Sequence, residues 1–576
     1  MAKVLYSLNM TKAEFVIYGC PYTAFESTKA VDAFVVPEPD RSLFHLRRNT
    51  NRILNLVGFS GVKDIRLVGC SADFVADFSS LLAEHPEAGF RVSIEHKTQS
   101  AFSSIAQGPS HATDIVVTER KSELIPIAHQ VAREIGGKVV VIDPASEQEA
   151  AAFSEALKDF EEGSGLARQN GLENCCALVL KKLGPGFLAG TYSSVTFITK
   201  FPYNLYPFPY PTGHLPAHAA SEIAAAGFLK ANTPRLQAGV AIILDSGKTQ
   251  ANGASEYGDL RESLSQRYGI LPAHNAAALG DFRYFVEDLP ADMMFLTAHC
   301  GQMPGTTLEA TFAYNGKTGH VRYAVDRGIS AVPRSGLVDC QTHYMPIEVN
   351  GVNWKENGCE RELFLKFAKV EMDASWGMKP RNPEFERIAI TRVVNGNPTL
   401  FPTKCIECGD EQYFVPLTTT IGGYYFPLVF NNACASYSGV CEEFLPDVSF
   451  YVGTARPVDS FSAVEVARTF AQNLGNMPVG KALFEAQRKF ITGYTPYILA
   501  GVPWLSMPSY DSRAIGIMKA NSIIKSSSTG RSGEARSDHR RMVFLEQQRK
   551  MLLKQLFNDA GRAVNVVRPV ALATPP

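Results

Sequence analysis

Two apolar stretches of this chain each run into a side chain that could do chemistry. Met293 to Ala298 (MMFLTA) leads directly into His299, and Tyr425 to Phe430 (YFPLVF) leads through two asparagines and an alanine to Cys434. Each stretch has the length and composition of a buried strand. Because groups just past the carboxyl ends of parallel strands meet in one crevice, we expect His299 and Cys434 to be neighbours although they are 135 positions apart.

A cysteine beside a histidine forms a nucleophile and its partner. A free thiol has a pKa of about 8.5, so only a small fraction is thiolate at neutral pH. An adjacent imidazole stabilises the thiolate or takes its proton, and later protonates an amine leaving group. The sequence therefore predicts that Cys434 and His299 form a catalytic dyad.

A series of short motifs follows Phe430. They are Ala433-Cys434-x-Ser436, Val452-Gly453-Thr454, Pro457-Val458-Asp459, a helix with Ala467 and Phe470, and Pro478-Val479 ahead of Ala482-Leu483. In order and spacing this stretch resembles the C-terminal part of CHAT domains, which are caspase-like peptidases related to separase and the caspases. The upstream strand from Asp292 to His299 is similar to the family's strand that opens on Asp and closes on the catalytic His. The likeness covers residues 236–500.

This resemblance implies an α/β, caspase-like fold with a mainly parallel sheet flanked by helices, and an endopeptidase that cleaves protein substrates without a cofactor. Many such peptidases act in prokaryotic immunity or programmed cell death and are switched on by a sensor domain. In the family, Gly follows the His and its N–H helps to form the oxyanion hole. Here Cys300 intervenes before Gly301, so these two residues are the expected donors. A catalytically inactive caspase-like sensor or binding protein is the alternative.

Two further residues are assigned to substrate binding because they follow the next strand in the resemblance. These are Thr454 and Asp459. Asp459 could help to form the pocket for the residue before the cut, and the alternative is that it forms a turn after Pro457.

Two other motifs fail on their spacing. His299-Cys300-Gly301 lacks the Arg about six residues on that a cysteine-based phosphatase uses to clamp phosphate, since Thr306 stands there. Ser246-Gly-Lys-Thr249 lacks the earlier glycine of a phosphate-binding P-loop, since Ile242 takes that position.

A structural zinc site is a further hypothesis. Cys405-x-x-Cys408-Gly has the form of a zinc knuckle, and Cys340 and His343 could supply the other two ligands of a tetrahedral Cys₃His site. With one C-x-x-C only, reduced thiols without metal are the alternative.

The elements that position these residues indicate several segments. Strands and helices alternate through residues 1–200, which predicts a separate α/β domain that is a regulatory sensor binding an activating ligand or partner, a degenerate copy of the enzyme fold, or merely structural. A Pro- and aromatic-rich packed linker and a connecting helix are expected over 201–235, and the peptidase domain over 236–505. Residues 506–576 are predicted to form a flexible basic linker and a C-terminal amphipathic helix.

Composition excludes several classes of protein. The net charge of −1 gives no field for nucleic acid or a membrane surface. No apolar run reaches the roughly 18–20 residues of a membrane span, and the N-terminus does not resemble a signal peptide. Eleven cysteines without a repeating framework indicate reduced thiols, so we expect a cytoplasmic protein.

Overall fold

The structure is a computed structural model. In parts of the ranges that it describes, only the backbone is defined. The described residues are 14–18, 33–37, 64–68, 70, 72–83, 89–95, 113–120, 122, 124–217, 219–220, 223–224, 226–227, 239–247, 256–265, 267–270, 274–275, 277–283, 285–286, 291–302, 305–314, 316–331, 338–353, 370–372, 378–380, 385–397, 404–408, 412–413, 427–445, 448–491 and 494–507.

The chain divides into two compact units. The first contains residues 1–299, 408–411 and 420–576, and the second contains residues 300–407 and 412–419. The second unit is thus inserted in the chain between His299 and Cys434, the two proposed catalytic residues.

A small parallel sheet opens the first unit. Its four strands lie in the order β2-β1-β3-β4, and every pair is parallel. The helix between its third and fourth strands fits the alternation of strands and helices that the sequence predicts over residues 1–200. The elements are β1 (Glu14–Tyr18), β2 (Ala33–Pro37), β3 (Asp64–Val68), α1 (Ala72–Ala83) and β4 (Arg91–Glu95).

The next part of the first unit alternates strands and helices, as its sequence predicts. The apolar runs near Asp114, Lys138, Val240 and Met293 all form strands. In chain order the elements are β5 (Asp114–Glu119), α2 (Ile125–Ile135), β6 (Lys138–Ile142), α3 (Glu147–Glu162), α4 (Gly165–Leu188), β7 (Ser194–Ile198), a 3₁₀ turn (Tyr203–Leu205), β8 (Thr212–His214), β9 (Val240–Asp245), α5 (Glu256–Ser265), β10 (Gly269–Ile270), β11 (His274–Asn275), α6 (Leu279–Arg283) and β12 (Met293–Thr297).

The second unit is built of β-strands in its described part. Long strands form a five-stranded antiparallel sheet in the order β17-β16-β15-β14-β20, with a three-stranded sheet β13-β21-β22 and the pair β18-β19. This architecture differs from the sequence-based expectation, which assigned these residues to the peptidase domain over 236–505 without a separate unit. The strands are β13 (His299–Gln302), β14 (Gly305–Tyr314), β15 (Lys317–Ala331), β16 (Val338–Val349), β17 (Val352–Asn353), β18 (Val370–Met372), β19 (Met378–Pro380), β20 (Phe385–Asn397), β21 (Lys404–Glu407) and β22 (Gln412–Tyr413).

The chain then returns to the first unit and completes its large sheet. This 11-stranded sheet has the order β10-β9-β12-β23-β24-β25-β8-β7-β5-β6, with β11 also paired to β9. The returning elements are β23 (Leu428–Asn431), α7 (Ser436–Gly439), α8 (Cys441–Phe444), β24 (Phe450–Thr454), α9 (Ser460–Asn473), α10 (Val479–Phe490) and β25 (Tyr497–Ala500). The fold class is therefore α/β, with a large, mostly parallel sheet and helices.

The large sheet consists of two parallel blocks that run in opposite directions. β10, β9, β12, β23 and β24 run together. β25 is antiparallel to β24, and β8, β7, β5 and β6 follow the direction of β25. The antiparallel junction in this order is β24-β25. The carboxyl ends of the two blocks, where ligands bind in parallel sheets, therefore lie at opposite edges of the large sheet.

The expected domain boundary at residue 200 does not separate β5–β7 from the later strands. The prediction of a separate domain over 1–200 is corrected here, because these strands extend the large sheet through β8. The predicted linker also supplies part of the core. Its Phe201, Tyr203 and Phe208 are buried with Phe153 and Phe197.

Hydrogen bonds from side chains to backbone carbonyls explain why this segment is part of the domain and not a spacer. The Asn204 side chain donates to the Leu499 carbonyl at 3.4 Å, and the Thr495 hydroxyl donates to the Leu205 carbonyl at 3.0 Å. Proline and aromatic residues disfavour helix, as predicted, but here their apolar area is buried against β25. Of the connecting helix expected before residue 235, the described residues 220, 223–224 and 226–227 are helical.

An aromatic ladder packs between the strands of the first block and α9. Phe295 and Phe430 stack at 5.6 Å between ring centroids, and Phe430 also stacks on Phe470 at 5.0 Å and on Tyr497 at 5.7 Å. All four rings are buried. Rings in offset contact contribute beyond their buried area, so this ladder fixes the spacing of β12, β23 and β25.

The flexible linker and C-terminal amphipathic helix were predicted over residues 506–576, of which 508–576 lie outside the described residues. Within the described part of the chain, no helix has both the length and the apolar content that a bilayer crossing requires.

Candidate active site

His299 and Cys434 follow neighbouring parallel strands. β12 pairs with β23 in a register that sets Leu296 opposite Asn431. His299 and Cys434 each lie three residues beyond this pair, and adjacent strands are about 4.8 Å apart. His299 is exposed and Cys434 is half-buried. The two residues thus follow the carboxyl ends of adjacent strands, while the meeting of their side chains in one crevice stays a prediction.

The loop before Cys434 is held by buried hydrogen bonds. The Ala433 N–H donates to the Asn431 side-chain oxygen at 3.2 Å, and the Asn431 amide donates to the Tyr451 hydroxyl at 3.0 Å. The Tyr451 hydroxyl in turn donates to the Ser436 carbonyl, and the Ser436 hydroxyl donates to the Asn431 carbonyl, both at 3.0 Å. This network restricts the turn to few conformations, because a different conformation would break at least one of these buried hydrogen bonds.

The residue after Cys434 has a left-handed backbone. Ala435 has φ 52° and ψ 29°, a conformation that costs a non-glycine residue about 1–2 kcal/mol. The left-handed conformation of Ala435 reverses the direction of the chain between β23 and α7. Cys434 therefore lies at a sharp strand-to-helix turn, where its side chain remains partly open to solvent.

Thr454 holds this turn from the neighbouring strand. Its hydroxyl donates to the Ala433 carbonyl at 2.7 Å, and its N–H donates to the Ser436 hydroxyl at 3.0 Å. The side chain is 1% exposed. The expected direct contact of Thr454 with substrate is corrected accordingly, because the hydroxyl is buried and already bonded to the protein.

We predict that Thr454→Val lowers the free energy of unfolding by about 1–2 kcal/mol, the usual cost of losing one buried hydrogen bond. The substitution keeps the shape and removes only the hydroxyl. Thermal unfolding followed by circular dichroism measures the change. The matched control is Thr391→Val, whose hydroxyl donates to the Glu309 carbonyl at an exposed position. If the two variants are equally stable, the hydrogen bond from the Thr454 hydroxyl to the Ala433 carbonyl does not stabilise the fold.

Asp459 caps a helix. It is the N-cap of α9, and its carboxylate accepts a hydrogen bond from the Ser462 N–H at 2.9 Å. This hydrogen bond holds the pKa of Asp459 below its ordinary value. The side chain is exposed, and the structure thus gives it the local, turn-forming role that was the alternative to a substrate pocket.

A row of buried polar side chains crosses the carboxyl edge of the first block. Asp245 pairs with Thr297, and Thr454 pairs with Tyr497. The register of β23 with β12 and β24 sets Asn432 at the same level. All five side chains are 9% exposed or less. Sequence reasoning missed Asp245, Asn432 and Tyr497, although Asp245 directly ends an apolar run as the His299 strand does.

Glu256, the first residue of α5, meets this row and was also missed. It is 5% exposed and accepts a hydrogen bond from the Asn432 side-chain amide at 2.8 Å. Burial raises the pKa of Glu256 to about 8, against the lowering effect of that hydrogen bond. No periodic pattern distinguishes this residue, since an acidic residue at the start of a helix is ordinary on a surface.

Asp245 and Tyr497 share this environment. Burial raises the pKa of Asp245, opposed by the hydrogen bond that its carboxylate accepts from the Gly247 N–H. Burial also raises the pKa of Tyr497 well above its ordinary value, and the nearby Glu256 and Cys434 add to the effect. Both side chains therefore stay neutral to a higher pH than they would in water.

The expected oxyanion donors lie just beyond His299. Cys300 is half-buried, and the backbone of Gly301 continues in β13. Their role in binding an oxyanion stays a prediction.

The zinc ligands are not assembled by the described side chains. Cys340 and His343 belong to β16 and Cys405 to β21, but their side chains lie outside the described residues. Cys408 is buried. Among the residues that the structure describes, no group of three or more His, Cys, Asp or Glu side chains could hold a metal. The zinc site stays a prediction.

The helix after Cys434 is also tied to the second block of the sheet. The buried His214 ring hydrogen-bonds the Tyr437 hydroxyl through Nδ1 at 2.7 Å and the Thr199 carbonyl through Nε2 at 2.9 Å. Since a carbonyl only accepts, Nε2 carries the proton and Nδ1 accepts from Tyr437. The turn that carries Cys434 is thereby linked to β8.

Comparison with known proteins adds no relative. No family model matches the chain, and no curated protein matches its sequence.

Proposed function

We propose that this protein is a cytoplasmic cysteine endopeptidase of caspase-like fold, in which Cys434 is the nucleophile and His299 its acid–base partner. One observation carries the proposal. The register of β12 with β23 puts the two residues at equivalent positions past adjacent parallel strands. Groups at the carboxyl edge of such a sheet share a crevice.

The proposed reaction has two stages. The Cys434 thiolate attacks the carbonyl carbon of the scissile peptide bond, and backbone N–H groups after His299 stabilise the resulting oxyanion. When the C–N bond breaks, the His299 imidazolium gives a proton to the leaving amine. His299 then takes a proton from water, which attacks the thioester and releases the carboxylate product and the free thiolate.

Exposure and rigidity support a macromolecular substrate. The His299 side chain is exposed and Cys434 is half-buried, so an extended peptide can approach both. The turn below them is held by buried bonds from Asn431, Ser436 and Thr454. A nucleophile fixed in position loses less entropy on reaching the attacking geometry.

Covalent labelling tests the proposal. Peptidyl acyloxymethyl ketones with different residues beside the reactive group are incubated with the full chain, and the labelled peptide is identified by mass spectrometry. We expect one adduct, on Cys434, and none with Cys434→Ala. The matched control is Cys300→Ala, which removes the neighbouring half-buried thiol and is expected to leave an adduct on Cys434.

Two results would count against the peptidase. No adduct with any of these ketones would favour the alternative, a catalytically inactive sensor or binding protein. An adduct on Cys300 that is still formed in Cys434→Ala would show that the reactive thiol is Cys300 and not Cys434.

A further inference from the structure

Glu256 lies between the two strand ends that carry the proposed dyad. Its carboxyl accepts from Asn432, which is two residues before Cys434. It is also faced by the hydroxyl of Thr297, which is two residues before His299. One buried carboxyl group therefore contacts both segments that must stay in register.

Asn432 is fixed on every side, and Glu256 completes its bonding. Its N–H donates to the Leu296 carbonyl at 2.8 Å, and its side-chain oxygen accepts from the Tyr497 hydroxyl at 2.5 Å. Its side-chain NH₂ has two hydrogens, one for Glu256 and one for the Ala463 carbonyl at 3.1 Å. Removing the Glu256 acceptor leaves a buried donor of Asn432 unpaired.

The surroundings of Glu256 favour the neutral acid. The ionisable groups around it and around Tyr497 are Asp245, Asp259, Cys434, Asp459 and Tyr494. No cation is among them in the described part of the chain. The start of α5 favours a negative charge, but burial outweighs this and raises the pKa of Glu256 to about 8.

Burial alone keeps this acid neutral against its two polar neighbours. The carboxyl group accepts from Asn432 at 2.8 Å and the Thr297 hydroxyl can donate to it, and both contacts favour the ionised form less than burial opposes it. Ionisation would place an uncompensated charge in a buried site close to Asp245.

We propose that Glu256 is a positioning residue, a neutral carboxylic acid that ties the loop before Cys434 to the strand before His299 and releases this tie when it ionises in alkaline solution. Its effect on catalysis rests on the proposed peptidase function, whereas the tie itself does not. The protonation state of Glu256 would thus control how rigidly the turn that carries Cys434 is held.

Two measurements on the full chain test the tie. The first is the amide hydrogen-exchange protection of residues 428–437, and the second is the rate of labelling of Cys434 by a peptidyl acyloxymethyl ketone. Wild type, Glu256→Gln and Glu256→Ala are compared at pH 7 and pH 9. The control is Glu262→Gln, an exposed glutamate on the same helix.

At pH 7 we expect wild type and Glu256→Gln to match in both measurements, because glutamine keeps the acceptor for Asn432. Glu256→Ala should lose about tenfold in protection and in labelling rate, the equivalent of one buried hydrogen bond. At pH 9 wild type should shift toward Glu256→Ala, while Glu256→Gln should keep its protection. Glu262→Gln should follow wild type at both pH values.

Thermal unfolding gives the sign of the proton linkage. The folded chain keeps the Glu256 proton up to about pH 8, whereas an ordinary glutamate loses it near 4.5. The folded state therefore binds more protons between these values, and wild type loses stability as pH rises through that window. Glu256→Gln lacks this loss, so its melting temperature should gain on that of wild type with rising pH.

Three outcomes are decisive. Identical pH responses of wild type and Glu256→Gln would overturn the neutral acid, and this comparison holds even if Glu256→Ala does not fold. Unchanged protection and labelling in a folded Glu256→Ala would overturn the tie. Absence of labelling in wild type, with the protection difference between wild type and Glu256→Gln intact at pH 9, would support the tie and overturn the peptidase.

Discussion

His299→Ala is expected to lower the kcat/KM for peptide cleavage by about 10³-fold, within the range that general acid–base groups supply. Two causes contribute, since in the proposed mechanism the imidazole acts as the proton acceptor for the Cys434 thiol and as the proton donor to the leaving amine. Cleavage of a fluorogenic peptide that matches the best labelling ketone measures it. Most of the loss should fall on kcat, because the ring acts on the reacting atoms and not on remote parts of the substrate.

The matched control for this variant is His320→Ala. His320 is also exposed but lies in β15 of the second unit. We expect its kcat/KM to equal that of wild type. A His299→Ala enzyme that cleaves at the wild-type rate would leave Cys434 without its proposed partner.

Asp292→Ala is expected to lower the free energy of unfolding by about 3 kcal/mol, because it leaves two buried backbone N–H groups without an acceptor at about 1–3 kcal/mol each. The Asp292 carboxylate is fully buried and accepts from the N–H groups of Gly239 and Val240 at 2.8 and 3.0 Å. This contact joins the starts of β9 and β12, at the edge opposite the proposed dyad.

The measurement is thermal unfolding, in which we expect a drop of roughly 5–10 °C in the melting temperature of the first unit. Asp292→Asn is the control, since its amide oxygen can still accept from one or both N–H groups and should preserve at least half of the stability. If Asp292→Ala melts with wild type, the carboxylate does not hold these strands together.

The strands that carry the proposed dyad could be predicted because they are continuous apolar runs. Met293 to Leu296 are fully buried, as both faces of a central parallel strand are covered. The reactive residues stand at the ends of these runs, where the chain leaves the sheet. Neither inference needs information from distant parts of the chain.

The remaining features depend on pairs that are distant in sequence. The role of Glu256 follows from its contact with Asn432, 176 positions away, and neither residue differs locally from an ordinary surface residue. β8 has only three residues, too few for a periodic pattern, yet it joins β25 to β7 within the second block of the sheet. Its proline-rich surroundings resemble a linker in composition, and only the packing against β25 distinguishes them.

The position of β25 in the sheet has a consequence for biosynthesis. β25 lies between β24 and β8, with Ala500 opposite His214, so the last strand of the sheet in the chain fills its middle. A ribosome adding 5–20 residues per second needs roughly 15–60 s to pass from His214 to Ala500. Throughout that interval the edge of β8 that will pair with β25 is open, and β24 adds a second open edge once residues 450–454 have been made. Open strand edges are templates for mispairing. The nascent chain is therefore expected to depend on chaperones until β25 emerges.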